Sequence, residues 1–214
     1  MCRLVWNRKK RFLPKNVKLV GISRWLSDCA QQSALLGHFD IRTIHNNINT
    51  RDFFPLEKPL ARKALGLPLD RPIVLAGAQR LDDPYKGFPI LMKALCLLPT
   101  PPLLLLFGNL APSSIRTITH DFVHLGFLND AVLLRLAYCA ADVFAAPSLI
   151  DAFGKTLAEA MACGTPSVCF DAAGPRDIVD HLTNGYRVKS GDAQDFAKGI
   201  AWAVSYTHLR AHET

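Results

Sequence analysis

The sequence predicts an α/β protein built on a doubly wound parallel sheet, and two observations support this. Short runs rich in Val, Ile, Leu, Phe and Ala recur along the chain without strict alternation with polar residues, which is typical of strands covered on both faces. Between these runs lie segments whose apolar residues are three and four apart, as in amphipathic helices. Strands that alternate with helices over short connections form a Rossmann-like sheet, whose ligands bind beyond the carboxyl ends of the strands.

The elements follow in order from these patterns. Strands are predicted over residues 18–22, 42–45, 72–76, 103–107, 122–125, 142–145, 167–170 and 186–188. Helices are predicted over residues 23–36, 88–98, 131–140, 156–163 and 195–204. Asp130 precedes the third of these helices as an N-cap, and Gly164 with Pro166 ends the fourth.

Composition shifts divide the chain into four parts. Residues 46–59 are polar and contain Pro55 and Pro59, which predicts a linker. Residues 1–45 offer two strands and one helix, too little for a core, and we interpret them as the remnant of a preceding domain. Residues 60–205 hold enough β/α units for a domain of their own, whereas residues 206–214 are polar and His-rich and are expected to be an artefactual tail.

The overall charge restricts the class of partner. The chain has 214 residues and a net charge of +7, from 25 basic and 18 acidic side chains, which favours an anionic partner such as a nucleotide, a membrane surface or a nucleic acid. The basic run at residues 8–11 is typical of a solvated edge. The six cysteines form no metal-ligand spacing and are expected to be small buried thiols. With no secretory h-region and no apolar run long enough to span a bilayer, we expect a cytoplasmic protein.

Two pairs of charged residues stand out by their spacing. Arg80 and Lys86 are six residues apart just after a predicted strand, where two cations suit two phosphates. Asp151 and Glu159 are eight residues apart, the first in a turn and the second inside a helix. Eight helical residues span about 12 Å, so these two acids are too far apart for an adjacent acid/base dyad. Cations that bind phosphates, together with separate carboxylates that accept hydrogen bonds from sugar hydroxyls, indicate a nucleotide-sugar site.

Long segments of the chain resemble a known family. The segments that carry the resemblance are ISRWLSDCAQQSALL, IHNNINTRDFFP, AQRLDDPYKGFPILMKAL, VHLGFL and PSLIDAFGKTLAEAMACGTPSVCFDAAGPRDIV. In this order, from about residue 15 to residue 204, they resemble the C-terminal half of family 4 glycosyltransferases, which are retaining enzymes of the GT-B fold. The most similar members are bacterial enzymes of exopolysaccharide assembly, of the colanic-acid type.

The resemblance implies roles for the charged residues. Arg80 and Lys86 match the family's Arg and Lys, which bind the donor diphosphate and stabilise the charge that develops on the leaving phosphate. Asp151 and Glu159 match an E-x(7)-E signature, in which the second acid binds the ribose hydroxyls and the first faces the donor sugar. This chain departs from the signature because its first acid is Asp, whose side chain is one methylene shorter.

Further donor-binding residues follow from the same resemblance. The helix that separates the two acids opens with Phe153, Gly154, Lys155 and Thr156, whose free amides would face the sugar and the pyrophosphate. Gly126, Phe127 and Leu128 match the family's base pocket. The letters GKT do not form a P-loop, because Leu149 stands where that motif needs its first glycine.

The expected function is therefore transfer of a sugar from a nucleotide-sugar donor to a saccharide or lipid-linked acceptor. We expect no cofactor and no metal, no nucleic acid as a partner, and peripheral contact with the cytoplasmic face of the inner membrane. The chain without the missing domain is expected to be inactive. Two alternatives remain: a nucleotide-sugar epimerase on the same architecture, and a non-catalytic nucleotide-sugar-binding module.

Overall fold

The chain forms two compact units, Met1–Asn46 and Asn47–Thr214. The computed structural model describes residues 3–14 and 16–210, with residues 206–210 as backbone. Among these residues no helix is both long enough and apolar enough to cross a bilayer.

The first unit is built around two parallel strands. Its elements are α1 (Arg3–Phe12), β1 (Lys18–Gly21), α2 (Arg24–Gln31) and β2 (Asp40–Thr43). Ser23 caps α2 by accepting a hydrogen bond from the Leu26 amide, as its residue type favours. Helix α2 is shorter than predicted from residues 23–36, because the Ser33 hydroxyl accepts from the Leu35 amide and draws the backbone into a turn.

The second unit confirms the predicted doubly wound sheet. Its six parallel strands are β3 (Ile73–Arg80), β4 (Leu103–Asn109), β5 (Phe122–His124), β6 (Val143–Ala146), β7 (Ser167–Phe170) and β8 (Gly185–Val188). Their order across the sheet is β5-β4-β3-β6-β7-β8. The first two crossovers run outward from β3 on one side and the later ones on the other, so the direction of winding reverses between β3 and β6.

Helices cover both faces of this sheet, which explains the continuous apolar strands. They are α3 (Lys58–Ala64), α4 (Phe88–Leu95), α5 (Pro112–Ile115), α6 (Ala131–Ala140), α7 (Lys155–Ala162) and α8 (Ala193–Arg210). Ile73 and Leu75 point into the core shared with α6 and α7, whereas Val74 and Ala76 point into the core shared with α4 and α8. Successive strand residues thus alternate between two buried faces, and both must be apolar.

The helix boundaries agree in part with the sequence-based prediction. Asp130 caps α6 as predicted, with its Oδ1 accepting from the Val132 and Leu133 amides at 2.7 and 3.0 Å. Helix α4 ends at Leu95, three residues before its predicted end, because Pro99 disfavours a helical Leu98. Helix α8 extends to Arg210, beyond the predicted end at residue 204, since no Gly or Pro interrupts it there. The remainder of the predicted tail, residues 211–214, lies outside the described residues.

A buried ion network stabilises the edge of the sheet at which β3 and β6 begin. Asp142 Oδ2 accepts from Arg62 Nη2 at 2.7 Å and from the Ile73 amide at 2.7 Å, and Lys58 Nζ lies 2.6 Å from Asp142 Oδ1. The Arg62 Nε also donates to the Ala140 carbonyl. Asp142 and Arg62 are both buried and hydrogen-bonded. The network therefore joins α3 to both strands without leaving a buried charge unpaired.

Candidate active site

The carboxyl ends of β3 and β6 meet where the winding of the sheet reverses, and a cavity opens there. It has a volume of about 180 Å³ and is called the first cavity below. Its walls come from the end of β3, the loop before α4, the end of β6 and the start of α7. The residues that line it include Gln79, Lys86, Pro147, Asp151, Lys155 and Thr156.

Gly87 allows the loop that carries Lys86 to approach the end of β6. Its φ is +63°, and a Cβ at this position would lie 2.0 Å from the Pro147 carbonyl oxygen. The Leu149 amide donates to the Tyr85 carbonyl at 2.8 Å and closes the same contact. The KGF sequence therefore holds Lys86 at the first cavity because only glycine fits after it.

Lys86 and Asp151 form an ion pair inside this cavity. The Lys86 Nζ lies 3.0 Å from Asp151 Oδ2, and the two side chains are 30% and 25% exposed. The other carboxylate oxygen, Oδ1, accepts from the amides of Phe153 at 3.2 Å and Gly154 at 2.9 Å. Asp151 thus shapes the turn into α7 with one oxygen and holds a cation with the other.

Helix α7 begins at the first cavity. Gly154 is its N-cap with φ +95°, a left-handed conformation that favours glycine. The first amides of a helix have no partner within it and carry the positive end of its dipole. Because Lys155 and Thr156 line the cavity, their end of the helix adds to the positive potential of Lys86 there.

The structure does not place Arg80 beside Lys86 in this cavity. Arg80 is the last residue of β3, and its side chain is 68% exposed with Nε 3.3 Å from Asp82 Oδ1. It is not among the residues that line the first cavity. The diphosphate-binding role of Arg80 therefore stays a prediction.

Glu159 faces a different cavity from Asp151. Its carboxylate is buried, with Oε2 accepting from the Tyr138 hydroxyl at 2.9 Å and Oε1 3.5 Å from Lys155 Nζ. It lines a second cavity of about 360 Å³, together with Lys155 and polar residues that include Asn47, Asn49, Asp52 and Asn129. Lys155 lines both cavities, so the two acids serve neighbouring spaces on either side of it.

Tyr138 is the site residue that the sequence analysis missed. It is fully buried in α6, and its ring packs edge-on against Phe53, Phe107 and Phe144. Burial, and next the Glu159 carboxylate, raise the pKa of its hydroxyl well above the usual value, so the hydroxyl remains a donor. A tyrosine on the apolar face of a helix is the signal that was available, since a buried tyrosine hydroxyl needs a partner.

The predicted base pocket lies on the same edge of the sheet but outside both cavities. Gly126, Phe127 and Leu128 follow β5; the Gly126 carbonyl accepts from the Gly108 amide at 2.7 Å, and Leu128 packs against the core. Phe127 is 52% exposed. None of the three lines the first or the second cavity, so their contact with a base stays a prediction.

The described thiols correct one expectation. Cys139, Cys163 and Cys169 are buried as expected, but Cys29 and Cys96 are exposed. Within residues 3–14 and 16–210, no group of three or more His, Cys, Asp or Glu side chains forms a candidate metal site.

The sequence and the fold were both compared with known proteins. Residues 71–205 match the family model described as glycosyl transferases group 1. The chain is 38% identical over 154 residues to a D-inositol 3-phosphate glycosyltransferase from Xylanimonas cellulosilytica, covering 66% of this chain and 34% of that protein. It is 29% identical over 184 residues to the lipopolysaccharide core biosynthesis glycosyltransferase LpsE from Rhizobium meliloti, covering 82% of this chain and 52% of that protein.

Solved structures of glycosyltransferases share the fold. Sucrose-phosphate synthase from Thermosynechococcus elongatus superposes with a TM-score of 0.78 at 27% identity, covering 93% of this chain and 53% of that one. HepE from Anabaena, in complex with UDP and glucose, superposes with a TM-score of 0.72 at 22% identity, covering 98% of this chain and 62% of that one. The chain thus spans roughly a third to a half of the curated relatives above and has the architecture of one half of a GT-B fold. With the family model matching residues 71–205, the chain belongs to the group 1 glycosyltransferases.

Proposed function

We propose that this chain supplies the donor-binding part of a retaining glycosyltransferase that uses a nucleoside-diphosphate sugar. The observation that carries the proposal is the first cavity, where Lys86, Asp151 and the amino end of α7 meet at the reversal point of the sheet. A diphosphate needs cationic and amide hydrogen-bond donors, and a sugar needs groups that accept hydrogen bonds from its hydroxyls. In the first cavity, the Lys86 ammonium and the α7 amides are the donors, and the Asp151 carboxylate is the acceptor.

In this proposal the Lys86 ammonium and the α7 amides bind the diphosphate and stabilise the charge that builds on it as the glycosidic bond breaks. Asp151 accepts hydrogen bonds from the donor sugar. Arg80 supplies the second cation. The Arg80 side chain is 68% exposed in its ion pair with Asp82, and ion pairs at the surface contribute only about 0–1 kcal/mol, so a diphosphate can displace Asp82.

The second cavity accommodates the nucleoside in this proposal, with Glu159 accepting hydrogen bonds from the ribose hydroxyls. Its polar lining and its position beside the first cavity support this assignment. Gly126, Phe127 and Leu128 contact the base from the end of β5. That HepE, which shares the fold, was solved with UDP and glucose supports a nucleotide-sugar donor.

The remaining parts of the proposal concern the whole protein. Residues 1–45 form the end of the acceptor domain, residues 46–59 the linker, residues 60–205 the donor domain and residues 206–214 an artefactual tail. The acceptor is a saccharide or lipid-linked saccharide of a bacterial exopolysaccharide or other envelope glycan, which the similarity to LpsE, a glycosyltransferase of lipopolysaccharide core biosynthesis, supports. The enzyme works without a metal on the cytoplasmic face of the inner membrane, and α1, which is basic and exposed, supports peripheral contact there.

Calorimetry with UDP, ADP, GDP and the corresponding monophosphates tests the proposal on this chain. We expect one diphosphate to bind at least about tenfold more tightly than its monophosphate, because a charge-assisted contact to the second phosphate contributes about 1.5–3 kcal/mol. Equal affinity for the two forms would contradict the assignment of the first cavity. With a longer protein that includes the acceptor domain, NMR of the products separates a transferase, which forms a new glycosidic bond, from an epimerase, which returns an altered donor.

A further inference from the structure

The buried hydrogen bond between Tyr138 and Glu159 joins two helices at the second cavity. Tyr138 lies on α6 and Glu159 on α7, and the hydroxyl donates to Glu159 Oε2 at 2.9 Å. Both residues are buried, at 0% and 5% exposure. A buried carboxylate depends on its hydrogen-bond partners, because it has lost most of its hydration.

The two oxygens of Glu159 have different surroundings. Oε2 is directed into the protein, towards a tyrosine whose ring is itself fixed by three neighbouring aromatic rings. Oε1 lies 3.5 Å from the ammonium of Lys155, which is 68% exposed and lines the second cavity. Oε1 thus lies beside a side chain of the cavity wall, whereas the hydroxyl of Tyr138 holds Oε2 from within the core.

We propose that Tyr138 is a positioning residue for ribose recognition: it holds the Glu159 carboxylate so that Oε1 accepts from a ribose hydroxyl in the second cavity. This inference rests on the proposed role of Glu159 in binding ribose. By this inference, a buried residue of α6 that faces the core makes the protein discriminate between ribonucleotides and nucleotides that lack the ribose hydroxyls. Without the Tyr138 hydroxyl, the carboxylate is free to turn towards Lys155, and the hydroxyls lose a fixed acceptor.

The test compares two ligands on each variant of the full chain. UDP, ADP and GDP are each titrated beside the 2′,3′-dideoxy form, and the affinity ratio of the two forms is the readout. Tyr138→Phe removes only the hydroxyl and keeps the ring in the core. Because the ratio compares two ligands on the same protein, a general loss of fold lowers both affinities and leaves the ratio unchanged.

Tyr186→Phe is the matched control. The Tyr186 hydroxyl lies 3.2 Å from Asp195 Oδ1, so this variant also breaks a tyrosine–carboxylate hydrogen bond within the second unit. Tyr186 lines neither of the two cavities described above. We expect the ratio to be at least about tenfold in the unmodified chain and in Tyr186→Phe, and to fall at least threefold in Tyr138→Phe.

Glu159→Gln separates a failure of this inference from a failure of the proposed function. If Glu159→Gln lowers the ratio but Tyr138→Phe leaves it unchanged, Glu159 binds ribose and the role of Tyr138 is overturned. An equal fall in Tyr186→Phe would also overturn it. If the unmodified chain does not discriminate between the two forms of any of the three nucleotides, both the ribose site and its positioning residue are wrong.

Discussion

Lys86 Nζ lies 3.0 Å from Asp151 Oδ2, although the two residues are 65 positions apart in the sequence. The ion pair joins the loop after β3 to the loop after β6 across the point where the winding of the sheet reverses. Each charge is therefore held in place before a ligand arrives, and each is oriented by the other.

The pair predicts that Asp151→Asn affects two ligands differently. An Asn Oδ1 can still accept from the Phe153 and Gly154 amides, so the turn is retained, but Lys86 loses its counterion. We expect the affinity for the preferred nucleoside diphosphate to stay the same or rise a few-fold, and the affinity for its best-bound nucleotide sugar to fall, both measured by calorimetry. Asp180→Asn, at an exposed position, is the control and should change neither affinity. A larger loss of affinity for the nucleoside diphosphate than for the nucleotide sugar would mean that Asp151 binds the nucleotide.

The buried ion network predicts a large difference between two Asp→Asn variants. Asp142→Asn leaves Arg62, which is 5% exposed, without its carboxylate, and breaking a buried pair from one side costs about 3–5 kcal/mol. Asp121→Asn removes the carboxylate that pairs with Arg71; this carboxylate is 75% exposed, so its loss costs about 1 kcal/mol or less. Urea unfolding of both variants measures the difference. Similar free energies of unfolding would show that the Asp142 network contributes little to stability.

Backbone strain at Ala173 predicts a stabilising substitution. Its φ of +52° and ψ of −143° lie in a region that essentially only glycine adopts, and such residues carry about 1–3 kcal/mol of strain. Ala173→Gly relieves that strain at an entropic cost of about 0.5–1 kcal/mol, so the melting temperature should rise. The neighbouring Ala172→Gly has no positive φ to relieve and should lower it. If Ala173→Gly is the more destabilising of the two, the strain at Ala173 does not exist in solution.

Burial of Cys169 predicts a loss of stability in alkali. Burial raises the pKa of this thiol from 9.0 to about 12, so the unfolded chain releases the proton first. The stabilising difference is complete below pH 9 and is lost as the pH rises from there towards 12. Above about pH 9 the free energy of unfolding of the unmodified chain should fall more steeply than that of Cys169→Ala, by up to about 1.4 kcal/mol per pH unit. Urea unfolding between pH 7.5 and 10.5 measures both slopes, and identical slopes would contradict the shift.

The sheet could be predicted from the sequence because its signal is local. The strand β3, for example, begins with four consecutive buried apolar residues that face both sides of the sheet, and that pattern is visible in the local sequence. The end of α2 was less predictable, because it depends on a single side-chain contact. Ser33 ends the helical region after Gln31 through one hydroxyl, which competes with the helix by a bond that periodicity does not show.

The pairing of the candidate site residues could not be predicted from the sequence, and their roles stay predictions. The spacing of Arg80 and Lys86 suggested a pair, yet Lys86 pairs with Asp151 and Arg80 with Asp82. Tyr138 and Glu159 meet only because α6 and α7 pack on the same face of the sheet. Contacts of this kind depend on the tertiary fold, and no local pattern in the sequence carries them.

The most direct test of the donor site removes the Lys86 cation from the first cavity without leaving its partner unpaired. The double variant Lys86→Met/Asp151→Asn deletes both charges of the ion pair and keeps the Asn acceptor for the turn into α7. The double variant leaves the net charge of the chain unchanged, and Lys93→Ala, at an exposed position on α4, controls for the loss of a positive charge outside the cavity.

Calorimetric titration of these variants with the preferred nucleoside diphosphate decides between two outcomes. If the Lys86 ammonium binds the diphosphate, the double variant binds at least about tenfold more weakly than the unmodified chain, and Lys93→Ala binds within about twofold of it. If the double variant binds as tightly as the unmodified chain, the first cavity is not where the diphosphate binds.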